Sequence, residues 1–191
     1  MALEELATWL EEARAAGLPE HDAAVLATAG ADGRPTARII SLRAVEPDAL
    51  VFTTAMWTRK ARHLRENPHA ALLVHWPSLG RQVHAGGRVV PAERELAEAL
   101  FARRDRPHQL QSMVSRQGEP IDGLAPMRAE LEAARRRIGD GPVPCPPDWA
   151  ALRLVPDFVE YWTAAPDALH DRIVFARDGD GDGWRRTRLA P

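Results

Sequence analysis

The pattern of apolar residues changes from helical to alternating close to residue 23. Apolar side chains recur at helical spacing within residues 2–16, beginning at Leu3, and Gly17 ends the run. This pattern predicts an amphipathic helix at the N-terminus, within residues 1–17.

Short apolar runs separated by turn residues follow from Ala24 onward. Asp32-Gly33 lies between the first two runs, and glycine supplies the positive φ that a tight hairpin needs. The predicted strands cover 24–29, 36–45, 49–54, 70–76, 81–90, 150–155, 157–162, 172–177 and 184–189. This many short antiparallel strands predicts a small barrel, mainly β, and argues against a parallel α/β sheet.

Three helices are predicted between the strands. Residues 58–66 have helix-forming content and end before an Asn-Pro pair. Pro91 is placed to open a helix that runs to about Arg103, and Asp122 is placed to cap a helix over 123–138. We therefore expect helices that flank the barrel.

Composition and charge narrow the class of protein. With 191 residues, of which 45% are hydrophobic and 27% charged, the chain suits one globular domain spanning 1–191. A net charge of -2 argues against electrostatic binding to nucleic acid or to an anionic membrane. No apolar stretch approaches the roughly 20 residues that span a bilayer, and no signal peptide is visible. We expect a soluble, cytoplasmic protein.

Two adjacent cations stand at the start of the predicted helix over 58–66. Thr58 is its expected N-cap, and Arg59 and Lys60 follow. Cations are disfavoured at a helix N-terminus unless an anion sits among the free N–H groups. This position predicts a phosphate site, or else a solvated helix start whose long side chains point away.

Two arginines and one glutamine on predicted strands are further candidates. Arg38 and Arg43 are five residues apart, so a regular strand would place them on opposite faces. Both can serve one site only if a bulge intervenes; otherwise one lies in solvent and the other pairs with an acid. Gln82 could bind polar ring atoms of a ligand or simply face solvent.

A basic cluster lies at the predicted end of the helix that Pro91 opens. Arg103, Arg104, Arg106 and His108 would there complement the dipole at a helix C-terminus. No aromatic residues interleave with these arginines to stack bases, so an oligonucleotide site is not favoured.

Metal binding is not expected. The seven histidines form no metal-binding motif. The run from Asp178 to Gly183 imitates the start of a calcium loop, but the twelfth position is Leu189, where a bidentate glutamate is required. We interpret this run as a hairpin turn.

Eight segments, taken together and in order, resemble the pyridoxamine 5′-phosphate oxidase family. They are RIISLR (38–43), FTT (52–54), TRKARHL (58–64), RQV (81–83), SRQ (115–117), VEYW (159–162), LHDR (169–172) and RLAP (188–191). The resemblance runs from about residue 23 to the last residue. It implies a Greek-key split β-barrel, a homodimer with FMN at the subunit interface, and C-terminal strands in 145–191 that complete the dimer and flavin site.

The resemblance also implies which residues bind the flavin. The family's FMN-binding positions fall on Arg38, Ile39, Ile40, Ser41, Arg43, Thr53, Thr54, Thr58, Arg59, Lys60, Gln82, Gln117, Trp162 and Arg172. The phosphate would be held by Arg38, Thr58, Arg59 and Lys60. Arg43 replaces the usual lysine and Thr53 the usual tyrosine, while Gly118 stands where a serine is usual. Arg43 keeps the positive charge of the lysine and Thr53 keeps the hydroxyl of the tyrosine, so flavin binding is expected to persist.

The substrate side departs further from the family pattern. Its positions fall on Arg43, Leu100, Arg104, His108, Ala168 and His170. Family members carry Tyr and Ser in place of Leu100 and His108, and an arginine in place of Ala168. A charge-assisted contact to a guanidinium is worth about 1.5–3 kcal/mol. The altered pocket therefore favours another small molecule, such as a carboxylate of secondary metabolism, over pyridoxamine or pyridoxine phosphate.

The expected activity is that of an FMN-dependent oxidase. Hydride passes from a substrate carbon to flavin N5, and dioxygen reoxidises the flavin with release of hydrogen peroxide. Arg172 would lie near the flavin, and His170 would polarise or orient substrate unless it only forms hydrogen bonds at the interface. The alternatives are the vitamer enzyme itself and a split-barrel protein that binds a flavin or another cofactor without turnover.

Overall fold

A computed structural model describes residues 2–178 and 183–191 as five helices and eight strands, with a short 3-10 turn at Pro77–Leu79. The helices are α1 (Glu4–Ala15), α2 (Arg59–Glu66), α3 (Arg94–Ala102), α4 (Arg106–Val114) and α5 (Leu124–Ile138). The strands are β1 (Ala23–Ala29), β2 (Pro35–Val45), β3 (Leu50–Ala55), β4 (His69–Trp76), β5 (Arg81–Pro91), β6 (Trp149–Thr163), β7 (Asp171–Arg177) and β8 (Trp184–Leu189).

Six of the strands close into an antiparallel barrel. The sheet order is β3-β2-β1-β4-β5-β6, and an additional β3–β6 pairing joins its ends, while β7 and β8 extend the sheet beyond β6. Strand β6 is long enough for both tasks, because its first half pairs with β3 and its second half with β7. The predicted split barrel with flanking helices is confirmed.

A close approach between β5 and β6 requires two glycines. The register shifts at Gly86 and Gly87, and a Cβ atom on Gly87 would lie only 2.1 Å from the Val155 carbonyl oxygen. The bulge lets β6 turn from the barrel toward β7 without losing its partner strand.

The first helix is held against the barrel by a buried tyrosine. The Tyr161 hydroxyl accepts a hydrogen bond from the Leu6 N–H at 3.0 Å and donates one to the Ala2 carbonyl at 2.7 Å. Its ring meets Trp9 edge to face, and burial raises the pKa of Tyr161. The helix predicted within residues 1–17 is α1, and it covers one end of the core.

Two predicted helix starts are wrong. Pro91 is the last residue of β5, and α3 begins two residues after Ala92 because Glu93 occupies its N-cap position. Gly123, with φ +157, takes the N-cap position of α5 that was expected for Asp122. Pairing of the strand with β6 extends to Pro91 and overrides the local preference of proline for a helix start.

Helix α4 is absent from the sequence prediction. It begins after Asp105, so Arg106 and His108 lie in the first turn of a new helix and not at the end of the preceding one. The two strands expected at 150–155 and 157–162 are one strand, β6, which continues through Pro156 at the bulge. Of the hairpin turn expected between Asp178 and Gly183, residues 179–182 lie outside the described residues.

No helix within the described ranges has the length and apolar content required to cross a membrane.

Candidate functional site

Arg38, Thr58, Arg59 and Lys60 form a cluster at the start of α2, called here the α2 cluster. Arg38 reaches it from β2 and is fixed by three hydrogen bonds. Its guanidinium donates to the Leu26 carbonyl at 2.9 Å, to Thr28 Oγ1 at 2.8 Å and to Thr36 Oγ1 at 2.5 Å. All three acceptors are neutral, so the positive charge of Arg38 is oriented but not compensated.

The charges in the α2 cluster lower one another's affinity for protons. Burial lowers the pKa of Lys60 to about 8, and the charge of Arg38 adds to this effect. Burial, followed by the charge of Arg59, also lowers the pKa of Arg38. Within residues 2–178 and 183–191, Arg59 and Lys60 form no hydrogen bond or ion pair through their side chains. A multiply charged anion is the ligand that such a cluster favours.

Thr58 occupies the expected N-cap position of α2, but its side chain does not cap the helix. The hydroxyl is buried, donates to the Ala55 carbonyl at 2.8 Å and lies 3.1 Å from Thr54 Oγ1. The prediction that Thr58 is the N-cap residue is confirmed, although its hydroxyl bonds within the turn after β3 and not to the helix. Without a side-chain cap, the first N–H groups of α2 are available to bind an anion.

The bulge that Arg38 and Arg43 would need to share one site is present. The pairing of β2 with β3 skips a residue between Leu42 and Ala44, so Arg43 is the extra residue. The second possibility is also realised in part, since Arg43 lies 3.7 Å from the Asp22 carboxylate.

A cavity of about 400 Å³, called here the arginine cavity, opens beside Arg43. Its lining residues are Ile39, Ile40, Ser41, Arg43, Thr53, Arg103, Arg104, Asp105 and His108. The cavity thus brings five predicted flavin-binding residues together with three predicted substrate residues, counting Arg43 in both sets. Arg103, predicted above only as part of a basic cluster, and Asp105 also line the cavity, and neither was predicted to bind flavin or substrate.

Cations dominate this cavity. Arg104 is half-buried, and burial lowers its pKa, with a further contribution from the charge of Arg43. The Arg104 guanidinium lies 4.4 Å from the ring centre of Trp149. His108 Nδ1 is 3.1 Å from the Asp105 carboxylate, an exposed pair. An anionic group of a small molecule is the complement to this arrangement.

Gln82, Trp162, His170 and Arg172 form a second group, called here the Trp162 cluster. Gln82 pairs with Trp162 in the β5–β6 register, and Trp162 pairs with Arg172 in the β6–β7 register. The ring centres of Trp162 and His170 are 4.8 Å apart. Arg172 donates twice to Glu160, at 2.7 and 3.0 Å, so its charge is partly compensated.

The hydrogen bonding of His170 defines its neutral tautomer. The Ala165 N–H donates to His170 Nδ1 at 3.1 Å. In the neutral ring the proton is therefore on Nε2, which can donate but not accept. Ala168, in the same loop, is exposed and has φ +64, the left-handed region.

Two predicted site residues lie apart from these groups. Leu100 is 7% exposed and packs with Val51, Ala97 and Ala151, outside the lining of the arginine cavity. Gln117 follows α4 and lines a small cavity of about 40 Å³ that Arg104 also borders.

The arginine cavity and the Trp162 cluster lie on opposite sides of one barrel. Ser41 lies on β2 and Gln82 on β5, and two of the six barrel strands lie between these two strands in either direction around the circuit. Ser41 lies between two buried residues and Gln82 precedes the buried Val83, so both side chains face outward. Ile39, 70% exposed, stands on the same outer side of β2 as Ser41. One ligand can contact both groups only if a second copy of the chain brings its Trp162 cluster to the cavity.

Within the described parts of the chain, no group of three or more His, Cys, Asp or Glu side chains is placed to hold a metal ion.

The barrel, the uncompensated cations at α2 and the divided site define a split-barrel protein with a site for an anionic ligand. The family model for pyridoxamine 5′-phosphate oxidase matches residues 10–137. The model for the pyridoxine 5′-phosphate oxidase C-terminal dimerisation region matches residues 149–191. The chain belongs to the pyridoxamine 5′-phosphate oxidase family, and this membership confirms the sequence resemblance and supports both FMN as cofactor and a homodimer.

Curated relatives carry the same name. A pyridoxine/pyridoxamine 5′-phosphate oxidase of Gluconobacter oxydans is 40% identical over 185 residues, covering 97% of this chain and 92% of its own. One from Rubrobacter xylanophilus is 43% identical over 183 residues, covering 96% and 83%. The chain is therefore an oxidoreductase of this family.

Solved structures agree on the fold. PhzG from Burkholderia lata 383, in complex with tetrahydrophenazine-1-carboxylic acid, matches with a TM-score of 0.91 and 32% identity, covering 99% of this chain and 92% of that one. A pyridoxamine 5′-phosphate oxidase-related, FMN-binding protein from Nostoc punctiforme matches with a TM-score of 0.82 at 19% identity, covering 100% and 98%, which shows the fold alone.

Proposed function

We propose that the protein is an FMN-dependent oxidase whose substrate is a small molecule carrying an anionic group. The observation that supports this most directly is the arginine cavity, where Arg43, Arg104 and His108 adjoin residues predicted to bind flavin. The cavity is cationic and is bordered by the exposed Ile39, as a flavin site shared between two chains requires.

The residues present fit FMN. Arg38, Arg59 and Lys60 supply three cations without a carboxylate partner in the described chain, and so suit a phosphate monoester. Ile40, Ser41 and Thr53 would line the ring end. The Trp162 cluster of a second copy, within the C-terminal segment 145–191 together with Gln82, would cover the other side. Arg172, although paired with Glu160, is expected to lie near the flavin.

When bound, FMN supplies a hydride acceptor at N5 and a route for electrons to dioxygen, which leaves as hydrogen peroxide. The protein's contribution is to bind and orient. Arg104 and Arg43 would hold the substrate's anion, and His170 would donate its Nε2 proton in a hydrogen bond to a polar substrate atom. A neutral His170 in this tautomer orients substrate and does not remove a proton through Nε2.

The pocket favours a carboxylate from secondary metabolism. Ala168 offers no guanidinium, and Leu100 is buried and offers no hydroxyl, so the recognition of a vitamer phosphate and ring is reduced. Arg104 and Arg43 still suit a carboxylate. PhzG, similar over nearly its whole length, is solved with tetrahydrophenazine-1-carboxylic acid bound.

A second candidate is oxidation of pyridoxamine or pyridoxine 5′-phosphate. The names of relatives at 40–43% identity favour it, as does the position of Arg104 at the cavity. A non-catalytic flavin- or cofactor-binding protein is the remaining alternative.

Anaerobic flavin reduction separates these candidates. The FMN-loaded protein is mixed with tetrahydrophenazine-1-carboxylic acid, with pyridoxamine or pyridoxine 5′-phosphate, and with unphosphorylated pyridoxine as the control without an anion. We expect the carboxylate to bleach the flavin absorbance fastest, with hydrogen peroxide released when air is admitted. Faster bleaching by the vitamer phosphates would favour the second candidate. A bound flavin that none of them bleaches would favour a binding protein, and a protein that takes up no FMN would contradict all three.

A further inference from the structure

Arg104 is a half-buried cation with no polar partner of its own. Its side chain makes no hydrogen bond or ion pair within the described part of the chain, and its Nε atom is buried and unpartnered. The contact that locates the guanidinium is the indole ring of Trp149, 4.4 Å from the guanidinium carbon to the ring centre. The position of Arg104 therefore depends on a stacking surface and not on hydrogen bonds.

The indole of Trp149 is itself firmly held. Trp149 is 9% exposed, and its residue pairs with Ala55 at the start of the β3–β6 ladder. The ring of Phe101 meets it edge to face, with the ring centres 5.8 Å apart. Arg94 donates to the Trp149 carbonyl oxygen at 2.8 Å. The ring is thus a rigid platform beneath Arg104.

Stacking on an aromatic ring leaves the N–H donors of a guanidinium free to bind a ligand. A guanidinium that lies over an aromatic ring uses its face, whereas its N–H donors point outward in its plane and can bind an oxyanion. Arg104 borders the arginine cavity, so a platform at Trp149 orients it for a ligand there. We propose that Trp149 is a positioning residue that sets the affinity for the substrate's anionic group, an inference that rests on the proposed role of Arg104.

A role in core packing alone explains Trp149 less well. Its Nε1–H is buried without an acceptor in the described chain, a cost that phenylalanine would avoid while filling much of the same space. Tryptophan offers the strongest aromatic face for a cation. The unpartnered N–H is thus a consequence of placing the larger ring beneath Arg104.

A double-mutant cycle on the FMN-loaded protein tests this role. Inorganic phosphate is titrated by calorimetry into the wild type and into Trp149→Leu, Trp149→Phe and Arg104→Lys, and into the Trp149→Leu/Arg104→Lys pair. We expect Trp149→Leu to weaken phosphate binding about tenfold, whereas Trp149→Phe, which keeps an aromatic face, stays within about threefold of wild type. In the Arg104→Lys background, Trp149→Leu should have a smaller effect, because a lysine ammonium can still lie over the ring but has no planar group for the indole to orient.

Readouts beyond phosphate affinity separate positioning from structural damage. The affinity for FMN and the limiting rate of flavin reduction should be unchanged in Trp149→Leu, while the substrate concentration for half-maximal reduction rises about tenfold. Trp149→Met, which also lacks an aromatic face, replaces Trp149→Leu if the latter does not fold.

The possible failures are distinguishable. Equal phosphate affinity in wild type and Trp149→Leu, independent effects in the cycle, or no phosphate binding to the wild type at millimolar concentrations would each overturn the inference. If no substrate bleaches the flavin but phosphate binding still depends on Trp149, the proposed oxidase activity fails and the positioning role stands.

Discussion

The α2 cluster and the arginine cavity both concentrate cations, but they hold them differently. In the α2 cluster, Arg38 is fixed by three neutral acceptors, and no carboxylate pairs with Lys60 in the described chain. In the cavity, Arg43 faces Asp22, and Arg104 rests on an aromatic ring. In the proposed function, the α2 cluster would bind the FMN phosphate through cations that no carboxylate of the described chain offsets, whereas in the cavity Asp22 partly offsets the charge of Arg43.

The largest effect is expected at the α2 cluster. Arg38→Gln should weaken FMN binding by about 100-fold, because a charge-assisted bond to phosphate is worth about 1.5–3 kcal/mol. The dissociation constant is measured from quenching of flavin fluorescence. Arg136→Gln, an exposed arginine of α5, is the matched control. An Arg38→Gln protein that binds FMN as tightly as the control would contradict the assignment of the phosphate.

A smaller effect, confined to substrate, is expected at the cavity. Arg104→Gln should raise the dissociation constant for an anionic substrate about 30-fold while leaving FMN affinity within about twofold of wild type. Reduction of the flavin without oxygen at increasing substrate concentration gives the first value, and quenching of flavin fluorescence gives the second. Loss of FMN affinity in this variant would show that the two regions are not separate.

Restoring a guanidinium should shift substrate preference. Ala168→Arg adds a donor on an exposed loop residue that already has positive φ, so the backbone strain is unchanged. We expect about tenfold faster flavin reduction by pyridoxine 5′-phosphate at subsaturating concentration. Ala168→Gln, of similar length but uncharged, is the control. If the two variants behave alike, the missing guanidinium does not explain the altered pocket.

The depressed pKa of Lys60 makes FMN binding depend on pH. Bound phosphate favours the charged ammonium of Lys60 and raises its pKa in the complex. The affinity for FMN is therefore highest at pH values well below 8 and falls as pH rises through 8. At pH 9 about one-tenth of the free sites keep this proton, and affinity should be about tenfold lower than at pH 7. Lys60→Arg should flatten the profile, since arginine stays protonated. An unchanged slope in Lys60→Arg would assign the dependence to another group.

The smallest effect tests the acid beside the cavity. Asp22→Asn removes the carboxylate 3.7 Å from Arg43 and should tighten binding of an anionic substrate by about threefold, as expected for a partly exposed ion pair. FMN affinity should not change. Weaker substrate binding would mean that Asp22 serves mainly to position Arg43.

Local chemistry predicted a small barrel and marked Thr58, Arg59 and Lys60 as a phosphate site or a solvated helix start, whereas the family resemblance added Arg38 to this group. Alternating strands and Asp-Gly turns are local signals, as are adjacent cations behind Thr58 at a helix start. The break between α3 and α4 was missed because basic residues suit a helix C-terminus, so Arg106 and His108 were assigned to the end of one helix and not to the start of the next. Pro91 was misplaced because strand pairing with β6 depends on residues distant in sequence.

The cavity could be predicted only in part. Arg43 and Arg104 were assigned through a family resemblance. A bulge in β2 was named as the condition under which Arg38 and Arg43 could share a site, but its presence was not predicted. Nothing local marks Trp149, because its importance depends on the fold bringing Arg104 over its ring. Leu100 was expected near substrate, yet its place on the buried face of α3 is set by packing against β3 and β6.

The position of Ser41 and Gln82 on opposite sides of one barrel has a genetic consequence. In the proposed homodimer, each subunit would contribute to two cofactor pockets, one through β2 and one through β5. Two inactive variants, one damaged at Arg38 and the other at Trp162, would complement each other when co-expressed. Their hybrid pair would contain one pocket with both lesions and one pocket with neither.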